Sequence, residues 1–148
     1  MIKNFRFQHR WLSNFHLAAV DFEGITYPST EHAYQAAKVE DIEIRTLISN
    51  LSEAKQAKQA SHWLPTPENW HTVRKFEVME QILKAKFKHK DLALKLLATG
   101  DQEIVEGNTW HDNEWGSCSC TSCGDTGKNY LGKMLMKIRK ELYDSKNT

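Results

Sequence analysis

Glu31, Gln35 and Lys38 follow one another at intervals of four and three residues. At about 3.6 residues per turn this places a carboxylate, an amide and an amine on one helix face, with the Tyr34 phenol beside them. A fixed carboxylate can stabilise developing positive charge or take a proton from water. A desolvated lysine can attack a carbonyl or imine carbon. Glu31 falls in the first turn, where the positive end of the helix dipole favours the ionised form. The alternative is an ordinary capped amphipathic helix whose charges face water, with Lys38 one of its solvated lysines.

A second concentration of chemistry lies in residues 110–129. Trp110-His111-Asp112-Asn113-Glu114-Trp115-Gly116 sets acids and an imidazole between two indoles, and Cys118, Cys120 and Cys123 follow. Cys-x-Cys-x-x-Cys with His111 or an intermolecular group as fourth ligand has the composition of a structural zinc site. Reduced surface thiols, or a thiol activated by His111, are the other readings. Gly124-Asp125-Thr126-Gly127-Lys128-Asn129 is a Gly-rich turn opening a helix, an arrangement that can bind anions through unpaired N–H groups. It is not a nucleotide-binding P-loop, because Asn129 follows Lys128 where Ser or Thr is required.

The elements that must position these groups follow from local pattern. Phe5 and Phe7 alternate with polar residues, and Ala19–Phe22 leads through Glu23-Gly24 into Ile25–Tyr27, so residues 1–28 read as β-rich with a hairpin. Ser29 or Thr30 caps a helix over residues 30–39. Shorter helices are expected over Asp41–Ser49 and over Ser52–Trp63, the latter capped by Ser52. Thr66 and Pro67 restart the chain as N-cap and first helical residue. The helix to about His89 then carries Trp70, Val73, Phe76, Met79, Leu83 and Phe87 at core spacing. A short helix over Asp91–Ala98 precedes the irregular stretch 101–128. The last helix runs over Asn129–Tyr143 with Leu131, Leu135 and Ile138 inward, and residues 143–148 are expected to fray.

The totals narrow the function classes. A chain of 148 residues is expected to form a single domain. Lys+Arg 20 against Asp+Glu 19 removes any global electrostatic case for nucleic acid. Lys84, Lys86, Lys88 and Lys90 form the one basic strip. No signal peptide or apolar run of membrane length is apparent, and an odd number of clustered cysteines is not a secreted disulfide framework. A cytoplasmic protein without membrane association is expected, as a monomer or weak oligomer.

Taken in order, these pieces resemble the NADAR (YbiA-like) family. They are Leu12-Ser13-Asn14-Phe15, Tyr27-Pro28-Ser29-Thr30-Glu31-His32 with Gln35 and Lys38, Asn69-Trp70, and Lys86-Phe87. Trp110-His111-Asp112 with Trp115-Gly116 and Gly127-Lys128-Asn129-Tyr130-Leu131-Gly132 complete the set. The resemblance implies an α+β, predominantly helical domain with a small N-terminal β-hairpin. It also implies an N-glycosidase that acts on phosphorylated early riboflavin intermediates or removes ADP-ribose from guanine in DNA. Glu31, Lys38, Trp70 and Asp112 then become candidate catalytic residues. Substrate contacts are implied at Asn14, Phe15, Tyr27, Ser29, His32, Gln35, Trp110, Trp115, Gly116, Lys128 and Asn129. No cofactor is required, and the three cysteines occupy a segment that is Gly-rich in simpler members.

Two routes fit such a reaction. Glu31 can face the oxocarbenium-like C1′ directly, with Asp112 or His111 protonating the leaving base and Trp70 stacking on it. Alternatively, Lys38 can capture the opened sugar as a Schiff base, provided burial lowers its pKa more than Glu31 raises it. Two other classes stay open: a non-catalytic ADP-ribose or nucleotide-binding module, and a zinc-dependent nucleic-acid protein. Individually, His32 also reads as a satisfied core histidine, Trp70 as packing and Asp112 as an Asx-turn residue.

Overall fold

The structure, a computed structural model, describes residues 1–147. The chain divides into two compact units, Asn14–His89 and Met1–Ser13 joined with the segment from Lys90 onward.

In the unit Asn14–His89, β1 (Leu17–Phe22) and β2 (Ile25–Ser29) pair antiparallel with Val20 opposite Tyr27 and Phe22 opposite Ile25. Glu23 and Gly24 turn the hairpin with φ of 46° and 87°, the left-handed pair that matches strand twist. Val20, Phe22, Tyr27 and Ser29 are buried. β2 runs straight into α1 (Thr30–Ala36), whose N-cap Ser29 accepts from the His32 N–H at 3.2 Å. The helix ends three residues short of the expected Val39. Lys38 lies in the following turn, its N–H donating to the Gln35 carbonyl at 3.2 Å.

Two helices pack on α1. Asp41 caps α2 (Ile42–Ser49), accepting from the Glu43 N–H at 2.9 Å. α3 (Ala54–Ala60) buries Ala54, Ala57 and Ala60, small side chains that let it approach the alanines of α1 closely. The expected Ser52 cap is corrected. Glu53 occupies the N-cap and its N–H donates to Gln56 Oε1 at 3.1 Å, while the Ser52 hydroxyl bonds the same oxygen. Trp63, expected inside that helix, lies beyond it and is exposed.

The long helix also departs from expectation. A π-helical turn over Trp70–Arg74, with Arg74 N–H bonded to the Asn69 carbonyl at 3.0 Å, precedes α4 (Lys75–Lys86). The wider turn rotates the stripe that a regular helix would bury. Trp70, Val78, Met79, Ile82, Leu83 and Phe87 are buried, Phe76 is half-buried and Val73 is exposed. Such turns break regular spacing and recur at functional sites.

In the other unit, Ile2 bridges Ile104 in parallel. The strand expected around Phe5 and Phe7 is replaced by a 3₁₀ helix, Phe7–Leu12, with Phe7 exposed. α5 (Lys90–Ala98) and α6 (Tyr130–Lys146) pack through Leu92, Leu96, Leu131, Leu135 and Ile138. Between them, β3 (Gly107–Asn108) and β4 (Ser117–Cys118) form a two-residue parallel pair within the stretch expected to be irregular. The last helix runs past its expected end at Tyr143. α6 continues to Lys146, supported by a Lys140–Asp144 ion pair at 3.0 Å; Thr148 lies outside the described residues. The architecture is helical with a small antiparallel N-terminal hairpin, as the α+β expectation states. Among the described residues no helix is long and apolar enough to cross a membrane.

Candidate functional site

The row on α1 is inside the fold, not on a solvent face. Glu31 is only 6% exposed, and Gln35 Nε2 donates to its Oε1 at 2.9 Å. Its backbone N–H is taken by the Asn14 carbonyl at 3.0 Å. Burial pushes the Glu31 carboxyl upward, against the Gln35 hydrogen bond and the attraction of Lys58 and Lys38. Burial thus opposes the ionised form that the helix N-terminus favours.

Lys38 is half-buried, with Nζ 5.9 Å from the Tyr34 ring centre and 5.8 Å from that of Trp70. The two rings lie 5.3 Å apart at 58°. Burial lowers the Lys38 pKa, opposed by Glu31 and assisted by Lys58. The competition that the sequence left open thus goes to desolvation. Trp70, 1% exposed, lies in the π-helical turn and packs in the core beside Tyr34 and Lys38.

Four buried polar atoms have no hydrogen-bond partner among the described residues: Asn14 Oδ1, Tyr27 Oη, Thr30 Oγ1 and Gln35 Oε1. All four belong to residues within or next to the motifs around Glu31. Buried polar groups are nearly always paired, so each of these atoms is a point where a ligand's polar group or a water can be received. Asn14, Tyr27 and Gln35 were expected as contacts; Thr30 was not. Lys58 was also missed, although the Ala54, Ala57, Ala60 spacing shows which face of α3 turns inward and Lys58 borders it.

Ser29 and His32 are engaged in the fold instead. Ser29 Oγ meets His32 Nδ1 at 2.6 Å, and His32 Nε2 meets the Leu51 carbonyl at 2.9 Å. A carbonyl partner makes Nε2 the protonated nitrogen, so the Ser29 hydroxyl donates to Nδ1. His32 is the satisfied core histidine. Phe15, next to Asn14, is half-buried. Lys86 is fully buried with its pKa lowered to about 7 by desolvation, which takes it out of the expected basic strip.

The loop residues of the other unit are arranged differently. Asp112 Oδ1 accepts from the N–H groups of Glu114 and Trp115 at 3.1 and 3.0 Å, closing an Asx-type turn. Asn129 Oδ1 accepts from Glu106 N–H and its Nδ2 donates to the Ile104 carbonyl, both at 2.9 Å. The expected anion site at the start of α6 is corrected. The N–H groups of Lys128, Asn129, Tyr130 and Leu131 all donate to carbonyls of Asn113, Gly116, Glu114 and Trp115. Lys128 remains exposed, its Nζ 5.8 Å from the Tyr130 ring centre. Trp110 is exposed under the Arg6 guanidinium at 6.0 Å, and Trp115 is half-buried.

Gly116 is buried where a Cβ would collide with the Glu106 carboxylate. Glu106, absent from the sequence reading, has its pKa pushed up to about 7 by burial and by the Asp112 charge, against a hydrogen bond from Asn108. Its place directly after buried Ile104 and Val105 was the available signal. In the same loop His111, Cys118, Cys120 and Cys123 bring one imidazole nitrogen and three sulfurs within 4.8 Å of one another, a group that could hold a metal ion.

Comparison with known proteins gives this geometry a family. The NADAR domain family matches residues 3–143, a span that takes in both units. The chain is 36% identical over 135 residues to N-glycosidase YbiA of Escherichia coli (strain K12), covering 88% of this chain and 79% of that protein. It is 31% identical over 137 residues to N-glycosidase Npun_R5314 of Nostoc punctiforme, covering 88% and 83%. Riboflavin biosynthesis protein VVA0006 of Vibrio vulnificus is 35% identical over 142 residues, covering 92% of this chain but 36% of that protein. The chain thus spans about a third of the Vibrio protein. The NMR structure of E. coli YbiA superposes with a TM-score of 0.82 at 32% identity, covering 99% of this chain and 89% of that one. The chain therefore belongs to the NADAR family, whose curated members include hydrolases named as N-glycosidases.

Proposed function

We propose that this protein is an N-glycosidase that hydrolyses the base–ribose bond of a ribose-phosphate or ADP-ribose conjugate. One observation carries the reading. A buried carboxylate is hydrogen-bonded by Gln35, whose own Oε1 is unpartnered, and it acts on a lysine of lowered pKa that lies beside two tilted aromatic rings. Asn14, Tyr27 and Thr30 of the same unit also keep unpartnered buried oxygens. Ribose hydroxyls suit the unpartnered atoms, and a planar base suits the Tyr34–Trp70 pair. The N-glycosidase relatives and the riboflavin biosynthesis protein support the same chemistry.

In direct hydrolysis the C1′–N bond breaks with its electron pair going to the base, which gains a proton. Water bonds C1′ and gives its proton to Glu31. A carboxyl group of raised pKa is suited to holding and returning that proton. In the covalent route, neutral Lys38 Nζ adds to C1′ of the opened sugar imine. The base departs as the protonated amine, and water then cleaves the Schiff base to restore the amine. The lowered pKa of Lys38 is the specific observation favouring this second route. Neither route requires a redox group or a metal.

In this reading the partner is a ribosylated or ADP-ribosylated small molecule, or ADP-ribosylated DNA. The protein works in the cytoplasm as a monomer or weak oligomer. The deciding assay incubates it with phosphorylated riboflavin-pathway ribosylamines and, separately, with DNA carrying ADP-ribosylated guanine. Release of free base from one of the two is expected. Thermal stabilisation by ADP-ribose without base release from either would make the protein a binding module instead.

A further inference from the structure

The turn after β4 and the loop before it hold a set of donors that neither proposed route uses. His111 Nδ1 lies 3.3 Å from Cys123 Sγ, 3.5 Å from Cys120 Sγ and 3.7 Å from Cys118 Sγ. No disulfide joins these thiols. A single imidazole nitrogen has either one proton or one lone pair, so it cannot make three hydrogen bonds to three sulfurs. A cation at the common centre accounts for all the approaches together. For Zn–S of about 2.3 Å and Zn–N of about 2.0–2.1 Å, a tetrahedron requires N···S separations of roughly 3.6 Å and S···S separations of roughly 3.8 Å. The observed N···S values bracket that figure, and all four ligand atoms fall within 4.8 Å of one another.

The backbone is shaped to the same end. His111 adopts a left-handed φ of 69°, a conformation uncommon for a non-glycine residue. The Cys118 N–H donates to Asn113 Oδ1, the Asp125 N–H to the Cys118 carbonyl and the Gly124 N–H to the Cys120 carbonyl, each at 2.9 Å. Cys118 is fully buried at the end of β4, while Cys120 and Cys123 are partly exposed. Asp125 is in turn tied to Lys3 and to the Ser117 hydroxyl. Three thiolates and an imidazole select a borderline-soft, tetrahedral ion over the oxygen-seeking Mg²⁺ and Ca²⁺.

We propose that Cys118, Cys120, Cys123 and His111 Nδ1 form a structural Zn²⁺ site. The protein supplies all four ligands and no position is left for substrate, which is the signature of a structural centre. Its work is to tie His111 to the Cys118–Cys123 turn. Between those points runs the segment Asn113–Gly116, whose carbonyls receive the first N–H groups of α6. The metal thereby fixes the start of that helix.

The test uses the full chain purified without added metal and without oxidant, and it reads metal content, not turnover. About one zinc per chain is expected by elemental analysis. Replacement by Co²⁺ should give thiolate-to-metal charge transfer and the visible bands of a tetrahedral ion. Removal by chelator should lower Tm by on the order of 10 °C, with loss of amide protection over residues 111–131. Cys118→Ser lies in the core and is liable to misfold, so Cys120→Ser, Cys123→Ser and His111→Ala carry the comparison. Each should bind zinc on the order of tenfold or more weakly in competition with a chromophoric chelator. The site is overturned if zinc stays below about one per ten chains after reconstitution. It is equally overturned if the thiols react as fast with zinc present as without it, or if two of them are found as a disulfide.

Discussion

The Glu31 cluster and the Trp110–Asn129 loop both read as chemistry in the sequence, yet their polar atoms have opposite fates. In the unit that holds Glu31, the motif residues Asn14, Tyr27, Thr30 and Gln35 each keep a buried oxygen with no partner among the described residues. In the loop, Asp112 holds two backbone N–H groups, Asn129 bonds two segments, and the N–H groups of Lys128, Asn129, Tyr130 and Leu131 are taken by loop carbonyls. The first arrangement leaves groups poised for a ligand. The second uses groups of the same types to hold an irregular backbone in place. A carboxylate or an amide in a motif becomes a site only where the fold leaves its bonding unfinished.

The sharpest way to break this contrast is Glu31→Gln. The isostere keeps an acceptor for Gln35 but can neither carry the proton nor face the cation, so turnover should fall by about 10³-fold or more. Because the folded-state pKa of Glu31 is raised, the carboxyl favours folding below its unfolded pKa and loses that contribution as pH rises through its folded value. The variant should thus be at least as stable as the parent at neutral pH, measured by denaturant titration. Turnover within tenfold of the parent would remove Glu31 from the chemistry.

Lys38 comes next. Lys38→Met should cost about 10²-fold or more in kcat. With the lysine present, the rate should rise with pH and level off below 10.5, because burial lowers its pKa. Borohydride during turnover should trap the sugar on the peptide containing Lys38. Failure to trap, with the pH limb unchanged in Lys38→Met, would leave direct hydrolysis by Glu31 as the route.

The readability of the two regions differs for the same reason as their chemistry. The hairpin, a cap at Ser29 or Thr30 and the existence of the helices were legible in the sequence because hydrophobic spacing and cap residues are local signals. The starts expected at Ser52 and at Thr66-Pro67 were not those of the fold. The π-helical turn at Trp70 was not legible, since nothing local distinguishes it from regular helix, and it displaced Val73 and Phe76 from the expected core. Glu31, Gln35 and Lys38 could be grouped from spacing alone, but their burial could not. Burial depends on α3 packing its alanine face against α1, a tertiary fact. In the loop, no periodicity reveals that Asp112 closes a turn or that Glu106 lies against Gly116.

Glu106 tests the loop side of the comparison through stability. Its pKa is raised to about 7 in the fold. Its contribution is therefore fully present below about 4.5 and lost as pH rises through about 7. Glu106→Gln keeps the acceptor for Asn108 and removes the charge. It should match the parent near pH 4 and exceed it above pH 7 by up to about 3 kcal/mol, from the size of the shift. Urea titrations at the two pH values give the difference; an equal gap at both would place the stress on Glu106 elsewhere.

The smallest effect expected is also the most discriminating, because Asp112 was a candidate for catalysis and the structure shows it holding a turn. Asp112→Asn preserves an oxygen acceptor for the Glu114 and Trp115 N–H groups, whereas Asp112→Ala leaves both without one. A fold-holding Asp112 predicts that the alanine variant loses about 1–2 kcal/mol of stability while the asparagine variant loses little. Both should then retain kcat per folded molecule within about threefold of the parent, since neither substitution alters a group that the reaction uses. An Asp112 that protonates the leaving base predicts the reverse pattern, since asparagine cannot donate that proton and its kcat should fall as far as alanine's. Measuring stability and kcat on the same two variants therefore decides whether the contrast between finished and unfinished bonding extends to the one loop residue that the family motif and the turn geometry assign to different tasks.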